Sequence, residues 1–193
     1  MLQDLFISKV RVKILQLLLR QPGQIYHVRE IVRQISEEIN AVRRELAHME
    51  KAAMVTSEWR ANRRYYSFRS DYLFFEDLLS MIHKTVGLGG DLVKNRNKLG
   101  RVKFAFISGS FVRGKSPNSS DVDLVVVGNV ILPQLASIVK EEEARRELEI
   151  NYTVMTEEEF TFRKRRGDPF IGEILSKSRV MLLGDEEEML KTN

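Results

Sequence analysis

The 193-residue chain has no cysteine, four prolines, a single tryptophan (Trp59) and three histidines, His27, His48 and His83. Without thiols there is no disulfide framework, no cysteine nucleophile and no thiolate metal ligand. The histidines lie far apart in sequence, so neither a zinc site nor a Ser-His-Asp relay has its residues to hand. No apolar run approaches the ~18 residues of a candidate membrane-spanning helix, and no leader-like segment is visible. A cytoplasmic protein with no membrane partner is the expectation. Repeats and low-complexity tracts are also missing.

What is present is unevenly distributed. The net charge of +4 divides into +6 over residues 1–100 and −2 over residues 101–193. A basic first half suits a polyanion, whereas a mildly acidic second half is compatible with bound cations. The length allows two small domains. They are expected at residues 1–70 and 101–193, with connecting helices over 71–100.

The densest chemical signal is Gly109-Ser110-Phe111-Val112-Arg113-Gly114, followed by Asp121-Val122-Asp123-Leu124. Apolar runs flank it, Phe104 to Ile107 before and Val125 to Val127 after, which reads as strand, tight turn, strand. Side chains alternate along a strand, so Asp121 and Asp123 share one face. Two carboxylates so close repel each other unless a cation intervenes. Mg2+ commonly takes one or two carboxylates plus substrate phosphates, so these residues read as a metal-dependent nucleotide site.

The pattern Gly-Ser-x-x-Arg-Gly, spacer, Ser-Asp-x-Asp-Leu resembles the minimal nucleotidyltransferase family of the DNA polymerase beta-like superfamily. The resemblance covers roughly Val102 to Leu183. It implies that Gly109, Ser110, Arg113, Gly114 and Ser120 serve the nucleoside triphosphate. It makes Asp121 and Asp123 the catalytic metal ligands for Mg2+ or Mn2+. The superfamily's third acid falls at Asn151, which is neutral and cannot accept a proton, although its carbonyl oxygen can reach a metal. Glu149 shares the Asn151 face two residues earlier, in a strand expected to turn Leu148, Ile150, Tyr152 and Val154 to the core. Nucleotide binding survives this departure better than catalysis does.

The first seventy residues carry a separate signal. Val10, Ile14, Leu17 and Leu18 recur at helical spacing, with Lys9, Arg11 and Lys13 outside. A short helix is expected from about His27 to Ile35, then a longer one capped by Ser36 with Ile39, Val42, Leu46, Met49 and Ala53 buried. Two strands, Val55 to Arg60 and Arg63 to Phe68, form a hairpin with a basic tip. Three helices and a basic hairpin follow the order of a winged helix-turn-helix. Ala41-Val42-Arg43-Arg44-Glu45-Leu46 and Asn62-Arg63-Arg64-Tyr65-Tyr66 resemble the ArsR-like group of that class. Double-stranded DNA is the implied partner. Asn40, Arg43 and Arg44 are candidates for the major groove, and Arg60, Arg63 and Arg64 for phosphates. Glu37 and Glu38 suit the helix dipole but repel phosphate. Trp59, Tyr65 and Tyr66 read as packing residues.

Further expectations concern the rest of the chain. Asp71 to about Val86 reads as an amphipathic helix offering a homodimer interface, ended by Gly87-Leu88-Gly89-Gly90 as a break or hinge. The run Arg163 to Arg166 reads as a solvated helix end, with triphosphate contact as the lesser alternative. The fold class is α+β, an N-terminal winged helix-turn-helix followed by a small mixed-sheet nucleotidyltransferase-like α/β domain. The function expected is a DNA-binding regulator carrying a nucleotide-binding domain. The alternative is an active transferase that moves a nucleoside monophosphate to a protein or small-molecule hydroxyl, as an antitoxin-like enzyme would.

Overall fold

Several helices begin where a side chain can satisfy their free N–H groups. The computed structural model describes residues 2–114 and 121–191. After a short α1 (Leu2–Leu5), Ser8 caps α2 (Lys9–Arg20) by accepting the Arg11 N–H. β1 (Tyr26–His27) leads into α3 (Val28–Ile35), which His27 Nδ1 caps. α4 (Ile39–Lys51) is capped by Glu38, whose two carboxylate oxygens accept from Asn40 and Ala41. Ser36 is not that cap. It holds the left-handed turn closing α3, at φ 52. A carboxylate at the positive end of a helix satisfies two donors and the dipole together. Those bonds hold the Glu38 carboxyl below the ordinary range.

β2 (Val55–Arg60) and β3 (Arg63–Phe68) form the expected hairpin, and β1 completes an antiparallel sheet in the order β1-β3-β2. The core beneath is Ile14, Leu15, Leu18, Ile31, Val42, Leu46 and Met49. Burying one such side chain stabilises by about 1.5–3 kcal/mol. Ala53, expected in the α4 stripe, lies beyond the helix in a left-handed turn and is exposed.

The chain divides into two compact units, Met1–Ile82 and His83–Asn193, within α5 (Phe75–His83). α5 is shorter than its apolar pattern suggests. Phe75, Leu79 and Ile82 are buried, but Leu73 and Phe74 precede the helix and are 82% and 52% exposed. The glycine run does not break the chain. It forms the body of α6 (Gly87–Lys94), in which Leu88, Gly89, Gly90 and Leu92 are buried. A Cβ on Gly89 would lie 2.1 Å from the His83 carbonyl oxygen and 2.8 Å from Leu182. One on Gly90 would lie 2.5 Å from the Thr85 backbone. The small residues therefore permit close packing.

A 3₁₀ turn (Arg96–Lys98) precedes β4 (Gly100–Ser108). Then follow α7 (Gly109–Val112), β5 (Leu124–Val130), α8 (Leu132–Arg146), β6 (Tyr152–Met155), α9 (Glu157–Arg165), α10 (Pro169–Ser176), β7 (Arg179–Leu183) and α11 (Glu186–Leu190). Thr156, Asp168 and Asp185 cap α9, α10 and α11. The sheet order is β6-β5-β4-β7, with β5 and β6 parallel and the other pairs antiparallel. One face packs Phe104, Phe106, Val125, Val127 and Met155 against Phe160, Ile171 and Met189. The apolar face expected for β6 is realised in part. Ile150 is buried and Val154 half-buried, whereas Leu148 and Tyr152 are exposed and Met155 joins the core; the strand begins only at Tyr152, and Leu148 lies outside it.

Candidate functional site

In the second unit, β4 ends at Ser108, whose hydroxyl accepts the Phe111 N–H and starts α7. Gly109 follows because nothing larger fits. A Cβ there would stand 2.0 Å from Ser178 Oγ and 2.7 Å from an Arg113 nitrogen. The Gly109 N–H donates to the Ser178 carbonyl at 2.7 Å, which binds this turn to the start of β7. Ser110 Oγ lies 3.0 Å from Ser108 Oγ. Arg113 supports the turn, donating to Ser178 Oγ at 3.1 Å and to the Gly109 carbonyl at 3.4 Å. Gly114 closes it with φ 62. Ser120, assigned to nucleotide by the motif, lies outside the described residues.

Asp123 stands at the mouth of β5 and is 3% exposed. Its backbone N–H donates to the Asn151 carbonyl at 2.7 Å, and its Oδ2 accepts the Asn151 N–H at 3.0 Å. The parallel register of β5 and β6 sets Asp123 opposite Asn151, on the face shared by Val125 and Val127. Burial pushes the Asp123 carboxyl above its ordinary range, and the Asp121 charge adds to the rise; the Asn151 N–H and the Arg146 guanidinium oppose it. Glu149 is exposed and lies outside β6.

These residues suit a hard cation in a limited way. Asp121 and Asp123 are near enough for repulsion to be felt at Asp123, and a cation relieves repulsion of that kind. Among the described residues, no group of three or more His, Cys, Asp or Glu side chains is arranged to hold a metal. The donor set therefore fits an ion that arrives with phosphates supplying its remaining ligands, as Mg2+ does.

Two charged groups that act on the aspartates are not signalled by the motif, Lys177 on Asp121 and Arg146 on Asp123. Lys177 donates to Asp121 Oδ1 at 2.8 Å and to Glu173 Oε1 at 2.7 Å. Ser108, Ser110, Asp121, Glu173, Lys177 and Ser178 line one small cleft. Arg146 lies over the Phe111 ring at 4.2 Å, paired at 2.7 Å with the fully buried Glu142. Only the i,i+4 spacing of Glu142 and Arg146 signals that pair in the sequence. The basic run of α9 is directed elsewhere. Arg163 pairs with Glu159, Lys164 binds the Met189 and Lys191 carbonyls, and Arg166 stacks on Phe162.

In the first unit, a groove of about 650 Å³ runs between the hairpin and α4. His27, Arg29, Arg43, Trp59, Asn62 and Arg63 are among its lining residues, and among the described residues none of that lining is acidic. Arg43, Arg63 and Arg64 meet here, whereas Asn40, Arg44 and Arg60 do not line it. Arg64 is tied down. It donates two bonds of 2.9 Å to Glu50 and one of 3.0 Å to Ser57, and lies 5.3 Å from the Tyr66 ring. Arg60 pairs with Glu58 at 2.5 Å and stacks on Tyr65. Glu37 is neutralised by Lys13 at 2.5 Å. Trp59, expected to pack, is 69% exposed. The strand face buried at Val55 continues outward past the end of the core, and Trp59, paired with Arg64, sits on that projecting part.

No curated protein matches the chain. Among solved structures, reduced HlyU from Vibrio cholerae N16961 aligns at 19% identity over 44% of this chain and 80% of that one, with a TM-score of 0.34. That likeness is too slight to carry an argument. Residues 91–180, just under half of the chain, match the family model described as "Nucleotidyltransferase domain". The matched stretch contains the Gly109 turn, both aspartates, Asn151 and Lys177, so the second half of this chain carries a nucleotidyltransferase domain.

Proposed function

We propose that the chain is a DNA-binding regulator whose nucleotidyltransferase domain binds a nucleoside triphosphate together with Mg2+ or Mn2+. The observation that carries the nucleotide half is the approach of Gly109 to Ser178. It leaves Ser108 and Ser110 in one cleft with Asp121, beside the buried Asp123. Asp121 and Asp123 would hold the ion, with the Asn151 side-chain amide oxygen as a neutral third donor. The ion, when bound, supplies charge neutralisation at the phosphates. Ser108 and Ser110 offer hydroxyl donors to phosphate oxygens, while Arg113 and Ser178 keep the turn in place. Burial of Asp123 excludes water from that side of the site.

For the first unit the reading is a winged helix-turn-helix, with α4 as the reading helix and the hairpin as the wing. Support comes from the acid-free groove, the exposure of Arg43 and Arg63, and the internal neutralisation of Glu37 by Lys13. Arg64 holds the wing against α4 and is a positioning residue in this reading. Exposed Leu73 and Phe74 supply an apolar patch for a homodimer, the usual state of proteins that read paired half-sites.

The test of the nucleotide half is binding of each nucleoside triphosphate with Mg2+ to the full chain and to its Asp121→Ala/Asp123→Ala variant. Metal-dependent binding lost in the variant is the expected result, and equal binding by both proteins refutes the reading. Pyrophosphate released in the same samples identifies the transferase alternative. Its acceptor is then a protein or small-molecule hydroxyl.

A further inference from the structure

One charged side chain at the cleft has no place in the family pattern quoted above. Lys177 leaves the C-terminal end of α10, four residues after Glu173, so both side chains project from one helix face. Its ammonium touches Asp121 Oδ1 and Glu173 Oε1 at 2.8 and 2.7 Å. The backbone beneath it is held firmly. Arg179, whose side chain is almost wholly buried, donates to the Lys177 carbonyl at 2.9 Å and also to the Leu175 carbonyl. The ammonium is therefore presented to the aspartate from a braced helix end. The position where the superfamily has a third acid is a neutral amide, Asn151. This site thus has one carboxylate fewer than a two-ion site and one cation of its own.

We infer that Lys177 is the second cation of the site, supplying the positive charge that a second divalent ion supplies in two-ion sites. The inference rests on the nucleotide-site reading. With the ammonium in place, the carboxylates support one divalent ion instead of two. An ammonium has three donors. Two are directed to Asp121 and Glu173, and the third is available to a phosphate oxygen in the same cleft as Ser110. Lysine commonly binds phosphate in this manner, as a point charge. Bridging Asp121 to the phosphates, Lys177 supplies charge neutralisation that is independent of the metal concentration.

The experiment counts Mn2+ bound per chain by equilibrium dialysis of the full chain against Mn2+ and saturating tripolyphosphate, since phosphates supply the ion's remaining ligands, and separately measures tripolyphosphate affinity by calorimetry without metal. The wild type binds one Mn2+ per chain. Lys177→Met exposes Asp121 and Glu173 unneutralised and binds two, while its tripolyphosphate affinity falls about tenfold, the scale of one lost charge contact at a partly exposed site. Lys177→Arg keeps the charge and stays at one ion. Circular dichroism confirms that the variants are folded. Two ions in the wild type, one ion in Lys177→Met, or unchanged tripolyphosphate affinity overturns the inference while the nucleotide-site reading stands. No Mn2+ on the wild type, or equal Mn2+ on the Asp121→Ala/Asp123→Ala variant, removes the reading and the inference together.

Discussion

Arg63 and Arg64 are neighbours in sequence with opposite fates, and that contrast gives a quantitative prediction for DNA binding. Arg63 is exposed in the groove beside Arg43. Arg64 gives its donors to Glu50 and Ser57. Each phosphate neutralised by a protein cation adds about 0.9 to the slope of log affinity against log salt. Between about 50 and 200 mM salt, a slope lower by that amount means about 3.5-fold less loss of affinity. Arg63→Ala and Arg43→Ala should each weaken binding and flatten the slope by about this amount. Arg64→Ala leaves the slope unchanged. It instead leaves the Glu50 carboxylate without its guanidinium, costing about 0.5–1 kcal/mol of stability for a pair that is about one-third exposed. The assay is fluorescence anisotropy of a labelled duplex across the salt series, with urea unfolding of the same variants. An unchanged slope in Arg63→Ala and Arg43→Ala, or an equal flattening in Arg64→Ala, refutes the assignment of this groove to phosphate.

Three further predictions concern the second unit. Gly89→Ala places a Cβ 2.1 Å from a backbone oxygen and should cost about 2–4 kcal/mol in urea unfolding. Gly172→Ala, in α10 with nothing within 4 Å of the new atom, should be neutral or stabilising by about 0.5–1 kcal/mol; equal effects at the two sites contradict the packing account. Gly109→Ala forces the turn away from Ser178 and should abolish triphosphate binding while the sheet stays folded; retained affinity counts against the turn's role. Asp123→Asn should raise the melting temperature by roughly 3 °C at pH 7. The folded state binds the Asp123 proton more tightly than the unfolded state does. This group's contribution is therefore complete below the ordinary value of 3.8 and is lost as pH rises through the raised folded value. The advantage of the amide should shrink as pH falls toward 4, and a gain that is constant with pH rules out this cause.

Local features were legible in the sequence wherever the determining contacts are themselves local. The hairpin of β2 and β3 and the short helix ending at Ile35 follow from spacing and residue type. Asn151 was singled out by the resemblance alone; that its backbone pairs with Asp123 depends on the parallel register of β5 and β6, which the sequence did not signal. Three features depend on neighbours distant in sequence and were missed. Lys177 meets Asp121 across 56 residues, and nothing near either one signals the contact. The glycine run reads as a break until the carbonyls of His83 and Thr85 are seen to need the space. Trp59 reads as core because apolar alternation cannot show where a strand outruns the body beneath it. Ser36 misled differently: a good capping residue was used for a left-handed turn, and Glu38 two residues later took the cap.

The most direct test of the account is a titration of the full chain with ATP, GTP, CTP and UTP in the presence of Mg2+, alongside the Asp121→Ala/Asp123→Ala variant, with pyrophosphate followed in the same samples. The account predicts metal-dependent binding of at least one nucleotide and its loss in the variant. Binding of none of the four, or binding that the double substitution leaves intact, contradicts it.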